Sequence, residues 1–325
     1  MLDEAGPQLT GISVPTDGDA WAVGDNGVRA AFLHWDAGRW RRIVSPVFAL
    51  DVDAVSADDI WAVGSSSSGP TAVSITEHWN GSRWTVVTVG GRPGEYLRAV
   101  VALSPSDVWA VGARERGPLI EHWNGKAWTR FAGGPLDGLL HGIDSFSPRA
   151  VWAVGTQGLQ TTGRPSENPL VEHWTGRSWQ TLSAPSLDRV DENLLAVDAV
   201  SASDVWAVGS ADLNGNRLPL VLRWNGHGWR RLPMAGLPTS RASLAAVAAV
   251  GATDVWVAGS RGFGQSQRTL LAHWDGRRWK QLQSPVRGGG LLDLAVLSPS
   301  DIWAAGGSLD ANGNSRSLLE RYTCP

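Results

Sequence analysis

The chain repeats a short pattern of apolar and polar positions seven times. Each copy begins with an apolar run that is broken once by polar residues, as in 97–109, LRAVVALSPSDVW. The β-branched residues on both sides favour strands, and the Ser/Pro/Asp cluster between them is typical of a tight turn. Each copy therefore predicts a hairpin, whose two strands we name A and B.

A second hairpin follows in six of the copies. Its sequence is usually His-Trp-Asn/Asp-Gly-x-x-Trp, in which Asn-Gly favours a turn between two strands, C and D, that each carry a large aromatic residue. These hairpins and the Trp-Ala-Val-Gly element of strand B account for all 19 tryptophans, so we interpret tryptophan as a scaffold residue. The strand B tryptophans recur at intervals of 40 to 54 residues, at Trp21, Trp61, Trp109, Trp152, Trp206, Trp256 and Trp303.

Four strands per copy predict the fold class. A four-stranded sheet that is apolar on both faces cannot bury itself, and such sheets arranged radially form a β-propeller. The sequence therefore predicts an all-β, seven-bladed β-propeller with four antiparallel strands per blade, in one domain over 1–325. No fourth strand follows Tyr322, so we expect the last blade to be incomplete or closed by the N-terminal segment. The expected blades are 9–48, 49–96, 97–139, 140–193, 194–243, 244–290 and 291–325.

These motifs resemble the tryptophan-rich propeller repeats of bacterial proteins, Asp-Val-Trp-Ala-Val-Gly followed by His-Trp-Asn-Gly-x-x-Trp. The resemblance covers about 9–322 and implies a seven-bladed propeller similar to the WD40 type, from a bacterium of high GC content. The use of 26 Arg against 2 Lys also indicates such a source. Because repeats of this type share no activity, the resemblance implies no function.

An aspartate stands two positions before the strand B tryptophan in six copies, and His or Arg stands before the strand C aromatic in all seven. His and Arg can both donate a hydrogen bond to a carboxylate. We therefore expect structural Asp–His and Asp–Arg pairs, as in the polar tetrad of the similar WD40 propellers. The fourth copy has Ala150 in place of the aspartate, and five histidines are interpreted as part of the scaffold.

Composition excludes several classes of function. The formal charge of −3 provides no basic field for nucleic acid, and no segment approaches the length of a membrane span, so we expect neither partner. The single cysteine, Cys324, excludes an intrachain disulfide or a thiolate zinc site. We expect no metal and no cofactor. No signal peptide is present, so the chain as written would be cytoplasmic, or secreted if a leader had been removed.

Two segments approach calcium-binding loops. They are 212–216 and 310–314, each with the pattern Asp-x-Asn-Gly-Asn. The glycine comes too early for an EF-hand, and no bidentate glutamate follows at the required distance. We therefore interpret both segments as Asn-Gly hairpin tips.

Variation in loop length indicates where a binding site would lie. The A–B and C–D turns have constant length, whereas the B–C stretch from the motif glycine to the strand C aromatic runs from 11 to 19 residues. Recognition usually uses variable loops on a rigid frame. The residues of the D–A junctions also differ from blade to blade, as a single axial site would require. The predicted ligand-binding residues are Tyr96, Arg98, His141, Asp191, Glu192, Arg241 and Arg287, with Glu95 and Arg189 beside them.

Strand A also carries aspartates where most copies have small or apolar residues. Unpaired carboxylates at such positions are costly, so we expect them to line a hydrated channel, to bind a cation, or to pair with Arg98 or His141. These channel residues are Asp51, Asp53, Asp144, Asp198 and Asp293.

Two functions fit this pattern. The first is a non-enzymatic recognition module that binds a glycan, a small molecule, a peptide or a protein partner on the B–C and D–A loops. The alternative is a lyase, cyclase or hydrolase with His141 and Asp144 as acid and base. Whether the protein is an enzyme is left open by the sequence, which contains no recognised catalytic motif.

Overall fold

The computed structural model describes residues 2–25, 30–36, 38–43, 45, 48–66, 71–158, 167–187, 190–284, 286, 288–310 and 312–323. Its strands form seven four-stranded antiparallel sheets. The protein is a seven-bladed β-propeller, which confirms the predicted fold class. Helix within the described ranges is limited to one 3₁₀ turn, Gly264–Ser266. No described helix is long and apolar enough to cross a membrane.

The chain divides into two compact units, which we describe separately. The first comprises Met1–Glu115, Leu119–Phe131 and Leu292–Pro325 and contains blades 1, 2, 3 and almost all of blade 7. In the order A to D, blade 1 is β2 (Gly11–Thr16), β3 (Asp19–Asp25), β4 (Ala30–Asp36) and β5 (Arg39–Ile43). Blade 2 is β6 (Phe48–Ser56), β7 (Asp59–Ser65), β8 (Ser74–Trp79) and β9 (Trp84–Val87). Blade 3 is β10 (Tyr96–Ser104), β11 (Asp107–Ala113), β12 (Pro118–Trp123) and β13 (Trp128–Phe131).

The second unit comprises Arg116–Pro118 and Ala132–Leu291 and contains blades 4, 5 and 6. Blade 4 is β14 (Leu139–Ser147), β15 (Ala150–Gln157), β16 (Asn168–Trp174) and β17 (Trp179–Thr181). Blade 5 is β18 (Asp191–Ser201), β19 (Asp204–Leu213), β20 (Asn216–Trp224) and β21 (Trp229–Arg231). Blade 6 is β22 (Ala242–Gly251), β23 (Asp254–Arg261), β24 (Arg268–Trp274) and β25 (Trp279–Leu282).

The N-terminal segment supplies the fourth strand of blade 7. This blade consists of β26 (Gly290–Ser298), β27 (Asp301–Leu309), β28 (Ser315–Thr323) and β1 (Leu2–Ala5). β1 pairs antiparallel with β28, and Leu2 lies opposite Leu319. Beyond the strand, the buried Ser317 hydroxyl donates a 2.6 Å hydrogen bond to the Pro7 carbonyl. Of the two predicted outcomes for the last blade, closure by the N-terminal segment is therefore confirmed.

The motif glycine is required by close contact between strands A and B. A Cβ atom on Gly112 would lie 2.0 Å from the Tyr96 carbonyl oxygen, far inside any possible contact distance. The motif glycines of blades 2, 4, 5 and 6 meet the first strand of their own blade in the same way. Any side chain would therefore displace strand A.

Neighbouring blades pack through their tryptophans. In the first unit, the strand B residue Trp21 contacts Trp79 and Trp84 of the next blade, with ring centroids 5.0 and 5.3 Å apart. In the second unit, Trp152 contacts Trp224 and Trp229 at 5.3 and 5.6 Å. The strand B tryptophans are almost fully buried. The interpretation of tryptophan as a scaffold residue is confirmed for these blades.

The two kinds of Asn-Gly turn differ in geometry. In the C–D turns the asparagine stays at negative φ and its side chain caps the loop, as Asn80 Oδ1 accepts hydrogen bonds from the Ser82 and Arg83 amides. In 212–216, Asn214 and Gly215 both have positive φ, 55° and 80°, and Leu213 pairs directly with Asn216. The interpretation of 212–216 as a tight hairpin tip is confirmed, whereas 310–314 includes position 311, which lies outside the described residues.

Candidate functional site

The A–B and C–D turns lie at one end of each blade, which we name the turn end. The predicted Asp–His pairs lie at this end. His122 Nε2 lies 2.8 Å from the Asp107 carboxylate, and the same contact occurs in blades 1, 2 and 6. Each imidazole also stacks on the strand B tryptophan of its blade, with 4.1 Å between the ring centroids of His122 and Trp109. The structural pairing hypothesis is therefore confirmed.

Arginine makes the equivalent contacts in blades 5 and 7. Arg223 Nε donates to Asp204 at 2.7 Å, and its guanidinium lies 4.7 Å from the Trp206 ring centre. Arg321 makes the same two contacts with Asp301 and Trp303. In blade 4, where alanine replaces the aspartate, His173 stacks on the strand B tryptophan and burial lowers its pKa.

The strand A aspartates bind backbone amides of the next blade. Asp51 accepts the Val100 N–H at 2.9 Å, and Asp53 accepts the Ala102 N–H at 2.8 Å. Asp293 accepts the Ile12 N–H at 2.8 Å in the same unit. In the second unit, Asp144 and Asp198 accept the amides of Ala199 and Ala249. We name these contacts the strand A clamps. The sequence had suggested Arg98 or His141 as partners for these carboxylates.

The clamps explain why aspartate occurs at these positions. The amides concerned lie on the open edge of strand A, where no other strand of the same blade accepts their hydrogen bonds. A buried amide without an acceptor is costly. A carboxylate from the preceding blade supplies the missing acceptor. The predicted channel residues therefore have a structural role in the described chain.

Burial raises the pKa values of the clamp carboxylates. It raises the pKa of Asp293 to about 7 and that of Asp144 to about 6, although each accepts backbone hydrogen bonds that favour ionisation. Burial and then the neighbouring Asp293 carboxylate raise the pKa of Asp51, while burial and Asp144 raise that of Asp198. Desolvation is the main cause in all four carboxylates, and nearby like charges add to it for Asp51, Asp198 and Asp293.

The B–C and D–A loops lie at the opposite end of each blade, which we name the loop end. Glu192 and Glu95 form buried ion pairs there. Glu192 is 1% exposed and forms an ion pair with Arg231. Glu95 is 5% exposed and receives two hydrogen bonds, at 2.9 and 2.8 Å, from Arg130. Burial opposes ionisation of Glu95, but the bonds from Arg130 outweigh it and lower its pKa. This placement favours a structural role for Glu192.

Two predicted residues occupy β-bulges at the loop ends. Arg98 interrupts the register of β10, and His141 interrupts that of β14, at the same position of strand A. Arg98 is exposed and its guanidinium lies 5.8 Å from the ring centre of the partly buried Tyr96. Bulges often redirect a side chain beside a functional site. The structure thus places Tyr96 and Arg98 together in the first unit, and His141 in the second.

Arg241 lines a cavity of about 100 Å³ at the loop ends of blades 5 and 6. Arg217, Phe263 and Gln267 line it as well. Arg241 has a φ of 50°, which is uncommon for a residue with a side chain. The Arg241 guanidinium lies 5.9 Å from the Phe263 ring centre. The sequence prediction included Arg241 but missed Arg217 and Phe263, although an aromatic residue between two glycines in a variable loop was a usable signal.

The remaining predicted residues are dispersed. Asp191 is exposed, and its carboxylate accepts the Glu167 amide at 3.1 Å. Arg189 and Arg287 lie outside the described residues. Within the ranges described, no group of three or more His, Cys, Asp or Glu residues is arranged to hold a metal ion.

A larger cavity, of about 270 Å³, lies at the turn ends of blades 1 and 2. Its walls include Asp19, His34 and Trp35. These residues belong to the repeated motif and already bond to one another, since His34 Nε2 lies 2.8 Å from Asp19. We give this cavity less weight because its lining is common to several blades, whereas a specific site requires residues that differ.

Comparison with known proteins shows the fold and no family. No family model matches the sequence, and no curated protein matches it. Among solved structures, YCF48 bound to a D1 peptide is similar with a TM-score of 0.65 and 16% identity, over 100% of this chain and 94% of that chain. The WD40 β-propeller domain of Doa1 gives 0.62 and 12%, over 98% and 94%. An ulvan lyase bound to -[GlcA(1-4)Rha3S]- gives 0.63 and 9%, over 99% and 94%.

Proposed function

We propose that the protein is a non-enzymatic recognition module whose loop ends bind a peptide or protein partner, with a glycan as the other candidate ligand. The observation that carries the proposal is the exposure of blade-specific side chains at these ends, as with Arg98, Arg241 and Phe263. The turn ends instead repeat one Asp–His or Asp–Arg pair from blade to blade. Recognition requires residues that differ, held by a frame that does not.

The structural neighbours are consistent with this proposal. YCF48 is bound to a D1 peptide, and the ulvan lyase carries a bound saccharide. The tryptophan-rich motifs support the further proposal that the chain belongs with the bacterial propellers that it resembles. We propose Tyr96 and Arg98 as the contributing side chains of the first unit, and His141, Asp191 and Arg241 as those of the second.

The alternative function is a lyase, cyclase or hydrolase that uses His141 and Asp144. The observation in its favour is the pKa of Asp144, which burial raises to about 6, a suitable value for a general acid. However, the Asp144 carboxylate accepts backbone hydrogen bonds from Ala199 and from Ser145. Because equivalent buried clamps occur in other blades, the raised pKa follows from burial at a structural position, and recognition is favoured.

A binding screen of the purified full chain tests the proposal. A displayed library of random peptides and a glycan array should yield a ligand whose binding weakens in the Arg98→Ala or Arg241→Ala variant. The Arg277→Ala variant provides the control, because Arg277 is exposed at a turn end. If no ligand is selected, or if only the control weakens binding, recognition by the loop ends is wrong. Turnover of any selected glycan would support the enzyme alternative.

A further inference from the structure

The cavity beside Arg241 has a positive lining. Arg217 and Arg241 are its charged lining residues, and neither guanidinium forms an ion pair with a described carboxylate. Asp212 lies opposite Arg217 in the strand register, but its carboxylate accepts the Gly215 amide at 2.7 Å. The cavity therefore presents positive charge that the described part of the chain leaves unneutralised.

Two more arginines lie at the base of the same loop. Arg261 ends β23, and Arg268 begins β24 directly opposite it. Like charges placed opposite each other destabilise a pair of strands. Arg268 also donates a hydrogen bond from Nη1 to the Gln267 carbonyl at 2.8 Å, so these two arginines add to the basic character of the loop beside the cavity.

The backbone fixes Arg241 in its uncommon conformation. Its N–H donates to Asn216 Oδ1 at 3.2 Å, and its carbonyl accepts the Gly262 amide at 2.7 Å. Residues held at positive φ by their surroundings cluster at binding and catalytic sites, where strain contributes to preorganisation. The two hydrogen bonds hold Arg241 next to Phe263, a residue that is 52% exposed.

The size of the cavity indicates the kind of ligand. Sites for whole small molecules usually measure about 300–1,000 Å³, whereas this cavity measures about 100 Å³. It fits one group the size of a side chain, and a guanidinium pairs bidentately with a carboxylate. The exposed Phe263 ring offers an apolar contact beside that group.

We infer that this cavity binds the carboxylate of a glutamate or aspartate side chain in an acidic segment of a protein partner. Arg217 and Arg241 are the side chains that bind this carboxylate. The inference rests on the proposed function, because it names the group that the loop ends of blades 5 and 6 recognise.

Fluorescence anisotropy on the full chain tests the inference with three labelled probes. These are an oligoglutamate peptide, an oligoglutamine peptide as its neutral counterpart, and an oligogalacturonate that carries carboxylates on a saccharide. We expect the oligoglutamate to bind best, with an affinity that falls as salt is added. Arg217→Gln and Arg241→Gln should each weaken binding about tenfold, because each removes a charge-assisted contact.

Two further variants control the measurement. Arg277→Gln removes the same charge from the turn end of blade 6 and should leave the affinity unchanged. Phe263→Ala should weaken binding by less than either arginine variant. Circular dichroism checks that each variant is folded, as expected for substitutions of exposed side chains.

The possible outcomes separate this inference from the proposed function. Oligoglutamate binding that is unchanged in both arginine variants overturns the inference. Arginine-dependent binding of oligogalacturonate without oligoglutamate also overturns it, while the recognition function stands. Library peptides that bind independently of Arg217 and Arg241 overturn the inference in the same way. If no library peptide, no glycan on the array and none of the three probes binds the protein, the proposed function itself is wrong.

Discussion

Histidine and arginine play the same role at the residue before the strand C aromatic. His122 and Arg223 each contact an aspartate from the A–B turn on one side and the indole of a strand B tryptophan on the other. The shared requirement is a flat, hydrogen-bonding group that can stack on an aromatic ring. This explains why the two residue types alternate at this position while the aspartate and tryptophan recur.

We predict that Asp107→Ala lowers the free energy of unfolding by about 2–3 kcal/mol, because it removes the acceptor for two donors. These are His122 Nε2 and Trp109 Nε1, at 2.8 and 3.0 Å. Urea denaturation measures the change. The control is Asp36→Ala, whose exposed ion pair with Arg41 should contribute less than about 1 kcal/mol. Equal effects of the two substitutions would show that the half-buried Asp107–His122 pair contributes no more to stability than an exposed ion pair.

Blade 4 allows the reverse experiment. Ala150→Asp should supply the missing carboxylate beside His173 and raise its pKa, which burial lowers in the native chain. NMR titration of the histidine ring signals measures the shift. His122 belongs to another blade and serves as the internal reference. A His173 pKa that stays low in the variant would mean that position 150 cannot reach the imidazole.

At the scale of the element, each strand A has one edge that its own sheet leaves open. The strand A clamps satisfy part of this edge from the preceding blade, as when Asp51 accepts the Val100 amide. A carboxylate on a neighbouring sheet therefore replaces a fifth strand. The arrangement ties the stability of these edges to the ionisation of the aspartates.

We predict that the stability of the protein falls as the pH rises from about 5 to 8. Burial raises the pKa of Asp144 to about 6 and that of Asp293 to about 7, above the unfolded value of about 3.9. The native state therefore binds more protons in this range, and the stability gained at low pH is lost as the pH rises through these values. Urea denaturation at a series of pH values measures the slope.

The Asp293→Asn variant provides the comparison for this pH series. It cannot ionise, so its stability should change less with pH than that of the native chain. His173 contributes in the opposite direction because burial lowers its pKa, but its contribution is common to both proteins and cancels. Parallel curves for the two proteins would contradict the prediction.

Deletion of residues 1–6 should destabilise blade 7 by about 4 kcal/mol, since each of the four residues of β1 pairs with β28 at about 1 kcal/mol per hydrogen bond. The deletion also leaves β28 as an open edge that favours aggregation. Thermal melting and light scattering measure both effects. A synthetic peptide of residues 1–8 should restore the melting temperature, and a scrambled peptide should not. If the truncated chain melts like the full chain, β1 does not contribute to the stability of the blade.

At the scale of the whole molecule, contacts between the repeated motifs of one blade were predictable, whereas contacts between blades and within non-repeating loops were not. The Asp107–His122 pair follows from two motifs that recur along the chain, so their spacing indicates the contact. The Asp51–Val100 clamp joins residues 49 positions apart through the register of two sheets, which no local pattern specifies. Arg217 and Phe263 come together through loops that have no repeat, and only the folded chain shows their proximity.

The sequence also predicts a single domain over 1–325, and calorimetry tests this. One cooperative transition, with equal calorimetric and van't Hoff enthalpies, is expected if all seven blades unfold together. The alternative is that the two compact units of the chain unfold one after the other. Two resolved transitions would show that these units unfold separately.

The pairing of β1 with β28 has a consequence for the order in which the protein is made. Leu2 lies opposite Leu319, so a ribosome completes β1, the fourth strand of blade 7, long before it reaches the partner strand β28. β1 must stay unpaired until β28 has been made, and joining the two strands closes a loop of more than 300 residues. For the same reason, a circular permutant that links the two termini and opens the chain at a B–C loop should retain all seven sheets.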